Sequence, residues 1–184
     1  MPEDSRLETE RLLLREPVAD DAPALLAYHR RNDERLARWD PRRGDAPADH
    51  EAWIAARVAA SRAGRARSWL AFDRAAGNAL AGEVQLDSIT SEPQHTAMLA
   101  YSVDGAYEGK GYAHEAVGAV VAYAFERLDL RSLTATYDPA NERSGALLRR
   151  LGFVEVARTA VIPGFERHMR AQVLMRLGRP TAPA

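Results

Sequence analysis

The sequence predicts one mixed α/β domain, and three observations lead there. Its 184 residues suit a single hydrophobic core at about 150 residues per domain. One long segment, Tyr112 to Leu128, repeats its apolar residues with the period of a buried helix face. Short apolar runs bounded by turn residues stand before and after that segment, interleaved with further helical stretches, so strands and helices share one layered system.

The elements follow in chain order. From Arg11 the run Arg-Leu-Leu-Leu-Arg, ended by Pro17, predicts a first strand. Asp20-Asp21-Ala-Pro23 sets a cap residue ahead of a proline in a first turn. It predicts a helix with Leu25, Leu26, Tyr28 and His29 on its buried side. A second helix is predicted near Asp45 and Pro47, carrying Trp53, Ile54 and Val58 at helical spacing. Ser68 to Phe72 and Leu80 to Leu86 read as strands joined by the hairpin loop Asp73 to Asn78. Pro93 closes the next loop, and Thr96 to Val103 is a further strand. In the long helix the apolar positions are 113, 116, 117, 120, 121, 124, 125 and 128, one unbroken face. Ser132 to Tyr137 alternates as a strand, a short helix spans about Glu142 to Leu151, and Gly152 stands where a C-cap glycine belongs. Phe153 to Ala157 and roughly Met169 to Leu177 close the domain as two strands. The expectation is a mixed, twisted sheet of about six to seven strands with about four helices. The domain covers residues 7–177, and 178–184 form a disordered tail.

Composition narrows the function. The 25 basic and 26 acidic side chains leave a net charge of -1, without the long-range attraction that strong nucleic-acid or anionic-lipid binding draws on. The absence of cysteine excludes a disulfide framework, a thiolate zinc site, an iron–sulfur cluster and a cysteine nucleophile. The five histidines are scattered without metal-ligand spacing, so no metal is expected. Met1 to Glu10 is acidic and carries no apolar core, so no signal peptide is expected. The longest apolar stretch, Ala116 to Phe125, is far short of the roughly 18 residues of a spanning helix. A soluble cytoplasmic protein, monomer or homodimer, is the expectation.

Two motifs carry chemistry. Glu108-Gly109-Lys110-Gly111-Tyr112-Ala113-His114 joins a strand to the long helix. Glycines permit a tight curl and a close backbone approach. The first helical N–H groups, unpaired within the helix, make an anion site suited to phosphate. A nucleotide-triphosphate loop needs a different glycine spacing and a hydroxyl after Gly-Lys, which this sequence lacks. A dinucleotide fingerprint would want glycine where His114 stands. A loop capping a coenzyme A pyrophosphate, with small residues at alternate positions, fits Gly109, Gly111 and Ala113; an ordinary glycine turn is the plain alternative. Lys110 is the sole lysine in a chain that otherwise uses arginine. Downstream, Asn141 to Phe153 opens with an N-cap asparagine, buries Leu147, Leu148 and Leu151 and ends on Gly152. Ser144 is left without a structural reason.

Together these motifs, with the opening Leu7-Glu-Thr-Glu-Arg-Leu-Leu-Leu-Arg15, resemble the GNAT superfamily of acyl-CoA N-acyltransferases, in its RimJ/RimL-like branch, over about residues 7–177. The resemblance implies a GNAT fold with strands splayed at the acyl-CoA site, and acetyl-CoA as co-substrate without a metal. It implies that amides of Gly109, Lys110, Gly111, Tyr112, Ala113 and His114 hold the pyrophosphate. The strand end at Ser102 and Val103 would pair with the pantetheine arm. Asn141 would contact that arm, and Ser144, or Tyr137 beside it, would protonate the departing thiolate. Glu108 stands where many relatives carry Arg or Gln, which sets a negative charge beside the loop, and Met98 stands where relatives often place a carboxylate.

Glu83 is then the candidate base, with a solvent-facing strand carboxylate as the plain reading; His95 and His114 are the other titratable candidates. Arg30, Arg31, Arg35, Arg38, Arg42 and Arg43 border the expected acceptor groove, either as a contact for an acidic or RNA partner or as a solvated helical face. The expected reaction is direct transfer of acetyl from acetyl-CoA to a primary amine in a ternary complex, the favoured acceptor being a peptide N-terminal α-amine. The alternatives are a non-catalytic acyl-CoA-binding regulatory domain, or transfer to a small amine such as an aminoglycoside or polyamine.

Overall fold

A computed structural model of the chain describes residues 5–37, 39, 46–159 and 171–180. Its strands are β1 (Leu7–Glu8), β2 (Leu12–Arg15), β3 (Arg67–Asp73), β4 (Ala79–Asp87), β5 (Thr96–Val103), β6 (Ser132–Tyr137), β7 (Val154–Thr159) and β8 (Gln172–Gly178). The helices are α1 (Ala22–Leu36), α2 (Pro47–Arg62), α3 (Tyr112–Glu126) and α4 (Glu142–Arg150). The strands form one mixed sheet in the order β1-β2-β3-β4-β5-β6-β8-β7. All neighbours are antiparallel except β5 and β6. No helix among the described residues is long and apolar enough to cross a membrane.

The predicted architecture holds, with one more strand than expected. Leu7–Glu8 folds back on β2, pairing Leu7 with Leu14 and Glu8 with Leu13. Two residues carry no periodicity to read, so this hairpin is invisible in sequence. Its turn is tied by Thr9, whose hydroxyl accepts from Leu12 N–H at 3.0 Å.

The sheet buries both faces. On one, α3 lays Val117, Val120 and Ala124 against Leu14, Trp69, Val84, Leu86 and Leu133. On the other, Leu25 and Tyr28 of α1 and Ile54 of α2 cover Leu70, Phe72 and Leu80. Period two sorts β4 accordingly: Val84 and Leu86 join the α3 core, while Glu83 turns toward α1 and α2.

The caps are as predicted in α4 and different in α1. Asn141 accepts from Ser144 N–H at 3.2 Å. Gly152, at φ +89°, lets Gly152 N–H reach Arg149 O and Phe153 N–H reach Leu148 O, both at 3.0 Å, a Schellman ending. At the start of α1, Asp21 makes no side-chain cap. Its carboxylate takes both Arg15 nitrogens at 2.7 Å and the Val18 N–H at 2.8 Å, because a nearby guanidinium outcompetes a single amide. At the C-terminal side, Gly178 ends β8 and Arg179 N–H donates to Arg131 O at 2.9 Å. Residues 181–184 lie outside the described residues, as do Arg38, Arg42 and Arg43.

Candidate active site

The site is built around a parting of strands. β5 and β6 pair only over Thr96–Met98 against Ser132–Thr134, while β5 stays paired with β4 as far as Val103. Asp104 N–H donates to Ala81 O at 2.8 Å. Val103 and Gly82, which face each other, are therefore a non-hydrogen-bonded pair. By alternation the main-chain groups of Leu99, Tyr101 and Val103 point away from β4, into the opening left by β6. Ser102 instead directs its main chain to β4 and its side chain to the α1 face. Gly82 is required here, since a Cβ would sit 2.5 Å from Ser102 O.

Beside this opening lies the glycine loop. Gly109 and Gly111 have φ of +71° and +85°, and Gly111 is the N-cap of α3. The first intrahelical bond runs from Glu115 N–H to Gly111 O at 3.0 Å, so the N–H groups of Tyr112, Ala113 and His114 face out of the helix end. Their dipole favours an anion. The loop is braced by Glu115, which accepts from Thr9 Oγ1 at 2.5 Å, Arg11 N–H at 2.8 Å and Arg11 Nε at 2.6 Å. Arg11 also donates to Lys110 O at 2.8 Å and lies 4.2 Å from the centre of the Tyr112 ring. Burial pushes the Glu115 carboxyl up, but these three donors hold it below its ordinary value.

Glu108 neither points freely to solvent nor caps α3. It takes Arg35 of α1 at 2.7 Å and also contacts Arg143 of α4. One carboxylate between two guanidiniums leaves a local charge of +1, so the negative charge expected beside the phosphate loop is reversed. Arg35 further donates to Val103 O and, at 2.8 Å, to Asn32 Oδ1. Arg31 holds Asp104 through two nitrogens at 2.9 and 2.7 Å. Arg31 and Arg35 are thus neither a solvated face nor a free patch: they fasten α1 to the end of β5.

The remaining predicted residues fall on the two faces of the opening. On the α4 side Ser144 Oγ lies 2.8 Å from the Tyr101 hydroxyl. Burial pushes that phenol up to about 12, so Tyr101 stays protonated and available to donate. Sequence reasoning missed Tyr101, whose strand position gave no sign of a partner 43 residues away. Tyr137 lies under α4, its hydroxyl accepting from Arg149 at 3.2 Å. Its ring leaves no room for a Cβ at Gly145, which would meet it at 2.7 Å. Asn141 sits at the head of the same helix.

On the α1 side Glu83 is 2% exposed rather than solvent-facing. Its Oε1 accepts from Ser102 Oγ at 3.3 Å, and Ser102 is 2.8 Å from the Tyr28 hydroxyl. The same oxygen lies 3.4 Å from His29 Nε2, and His29 Nδ1 is 2.9 Å from His50 Nε2. Two of the supposedly scattered histidines therefore meet beside the candidate base, which their separation of 21 residues concealed. Burial and the Glu83 charge hold the Tyr28 phenol well above its ordinary range. His95 lies apart from this group, paired with Glu92 at 3.0 Å. Among the described residues no group of three or more His, Cys, Asp or Glu is placed to hold a metal ion.

Comparison with known proteins adds the following. Residues 11–154 match the family of the acetyltransferase (GNAT) domain. The chain is 30% identical over 151 residues to the [ribosomal protein uS5]-alanine N-acetyltransferase of Escherichia coli (strain K12), covering 80% of this chain and 77% of that one. Among solved structures, the ribosomal-protein-S5-alanine acetyltransferase of Vibrio fischeri superposes with a TM-score of 0.85 at 26% identity, covering 95% of this chain and 97% of the other. RimJ of Mycobacterium smegmatis, in complex with CoA-disulfide, shares the fold at 21% identity and a TM-score of 0.81, covering 91% and 81%.

Proposed function

The chain belongs to the GNAT acetyltransferase family, and on that premise we propose that it moves an acetyl group from acetyl-CoA to a protein N-terminal α-amine, a ribosomal protein being the favoured acceptor and the cytoplasm the place of action. The observation that carries this reading is the parting of β5 from β6 beside the open amino end of α3. A diphosphate fits the outward N–H groups from Gly109 to His114, with Lys110 and Arg143 supplying positive charge. The pantetheine arm fits along the free main-chain groups of β5, with Asn141 on its far side. Val103 O is occupied by Arg35, which leaves the Val103 N–H to polarise the thioester carbonyl.

The two faces of the sheet then divide the chemistry. Glu83 and Ser102 face α1, where the amine arrives and gives up a proton; Ser144 and Tyr101 face α4, where the sulfur leaves. The amine nitrogen attacks the carbonyl carbon, the C–S bond breaks, and the thiolate takes a proton from Ser144, which Tyr101 supports; Tyr137 is the neighbouring hydroxyl. The path between faces is the opening itself, so transfer is direct and needs no covalent enzyme intermediate.

Acceptor preference follows from the cost of a neutral nucleophile. At pH 7 deprotonation costs about 4.6 kcal/mol for a lysine side chain and about 1 kcal/mol for an α-amine. One buried carboxylate suits the second. Rates on a peptide with a free N-terminus, against an N-blocked peptide bearing one lysine, test the choice. The α-amine is expected to be acetylated faster by at least tenfold, and a preference for lysine would overturn it.

A further inference from the structure

Asp73, the last residue of β3, is a carboxylate that the proposed chemistry does not use, and it is only 5% exposed. A buried carboxylate is costly unless donors surround it. Among the described residues no cation pairs with it, and hydrogen bonds hold it instead. Its Oδ1 accepts from Ala75 N–H at 3.0 Å, which fixes the side chain in its own hairpin turn. The main chain is fixed as well. Asp73 O accepts from Asn78 N–H at 3.0 Å, and the residue pairs with Leu12 on one side and Ala79 on the other. The second carboxylate oxygen, Oδ2, is turned to the glycine loop and accepts from the Tyr112 hydroxyl at 3.3 Å.

Tyr112 is the first residue of α3, and Tyr107 ends the short turn Gly105–Tyr107 that precedes the loop. Their rings meet edge to face, with centres 4.7 Å apart and planes at 60°. The chain therefore leaves one ring at Tyr107, arches through residues 108–111 with positive φ at Gly109 and Gly111, and returns to the other ring at Tyr112. Ordering such an arch costs conformational entropy, and the ring contact holds its two ends together. Burial and the Asp73 charge push both phenols above their ordinary value. Tyr112 thus keeps its proton at neutral pH and donates it to a carboxylate that is itself held rigid.

We propose that Asp73 is a positioning residue for the coenzyme: through Tyr112 it holds the glycine loop in the arched form that offers its N–H groups to a diphosphate. This rests on the coenzyme reading above. The side chain that Asp73 anchors belongs to the residue that supplies the first outward N–H of α3. A loop already arched loses less freedom when the ligand arrives, so the anchor favours binding. Asp73 acts through Tyr112 and touches no reacting atom. Its effect therefore falls on coenzyme affinity and leaves the transfer step alone.

Calorimetry and steady-state kinetics on the full chain test this. Tyr112→Phe removes one hydroxyl and keeps the ring contact. It is expected to raise the Kd for acetyl-CoA about three- to tenfold, the effect of one hydrogen bond, with kcat at saturation changing little. Asp73→Ala is expected to raise Kd at least as much, and Asp73→Asn, which still offers an acceptor oxygen, to recover most of the loss. ADP carries a diphosphate without the pantetheine arm, so its affinity is expected to fall by the same factor as that of acetyl-CoA. Wild-type Kd in a Tyr112→Phe protein that melts like the wild type would overturn the inference, as would a loss confined to kcat. A wild-type protein that binds no acetyl-CoA would instead sink the reading on which it rests.

Discussion

At the scale of single residues, the hydroxyl pair Tyr101 and Ser144 and the carboxylate Glu108 behave differently from what their sequence neighbours suggest. Ser144 combines two roles: its N–H is taken by the cap Asn141 and its Oγ by Tyr101. Removing the hydroxyl leaves the cap bond in place. Ser144→Ala is therefore expected to lower kcat tenfold or more, with coenzyme affinity unchanged by calorimetry and the thermal midpoint nearly unmoved; unchanged turnover removes Ser144 from the mechanism. Glu108 stands between Arg35 and Arg143, so its neutralisation releases positive charge next to the phosphate loop. Glu108→Gln is expected to tighten coenzyme binding about two- to fivefold, the equivalent of ~0.4–1 kcal/mol. The gain should vanish at high salt, where such pairs are screened. Gly145 has a plainer role. A methyl there meets the Tyr137 ring at 2.7 Å, and overpacking of this kind costs roughly 1–3 kcal/mol. Gly145→Ala should lower the midpoint in a thermal melt by about 2–4 °C for each kcal/mol lost.

At the scale of elements, the amino end of α3 is useful because other elements hold it still. Thr9 and Arg11, from the turn between β1 and β2, converge on Glu115 in the first turn of α3. Arg11 also spans to Lys110 O, so the loop is fastened from outside rather than by its own glycines. This links the opening hairpin to the proposed coenzyme site over about 100 residues of chain. Arg11→Ala is expected to raise KM for acetyl-CoA several-fold while kcat changes little, because the brace positions the ground-state ligand and touches no reacting atom. An equal loss in kcat would assign Arg11 to the chemistry instead. Lys110, the sole lysine, gives a direct readout of the same loop. Coenzyme should shield it from an amine-directed reagent, as read by mass spectrometry, while the amino terminus is labelled normally.

At the scale of the whole molecule, two carboxylates couple pH to stability. Burial opposes the charge of both Asp104 and Glu115, but hydrogen-bond donors win and set their folded pKa values below the ordinary 3.8 and 4.5. A depressed carboxylate stabilises the fold above its unfolded pKa and loses that contribution as pH falls through the folded one. The thermal midpoint is expected to stay level above about pH 5 and to drop below pH 4. Glu115→Gln should start from a lower midpoint at neutral pH and fall less steeply on acidification; a parallel acid profile would refute the assignment.

Much of this architecture was legible before any coordinates. The buried face of α3, the positive-φ glycines at 109 and 111, and the Asn141 and Gly152 caps of α4 are properties of a few consecutive residues, because helix period and cap geometry fix partners at set offsets. The parting of β5 and β6 came from resemblance and is visible in the pairing that stops at Met98 and Thr134. What only the tertiary structure decided is who meets whom across the sheet: Tyr101 with Ser144, Glu108 with its two arginines, and Glu83 with His29 and His50. Those contacts depend on strand register and on which face each helix covers. Neither leaves a fixed spacing in the sequence, since a carboxylate on β4 reads the same whether α1 covers it or water does.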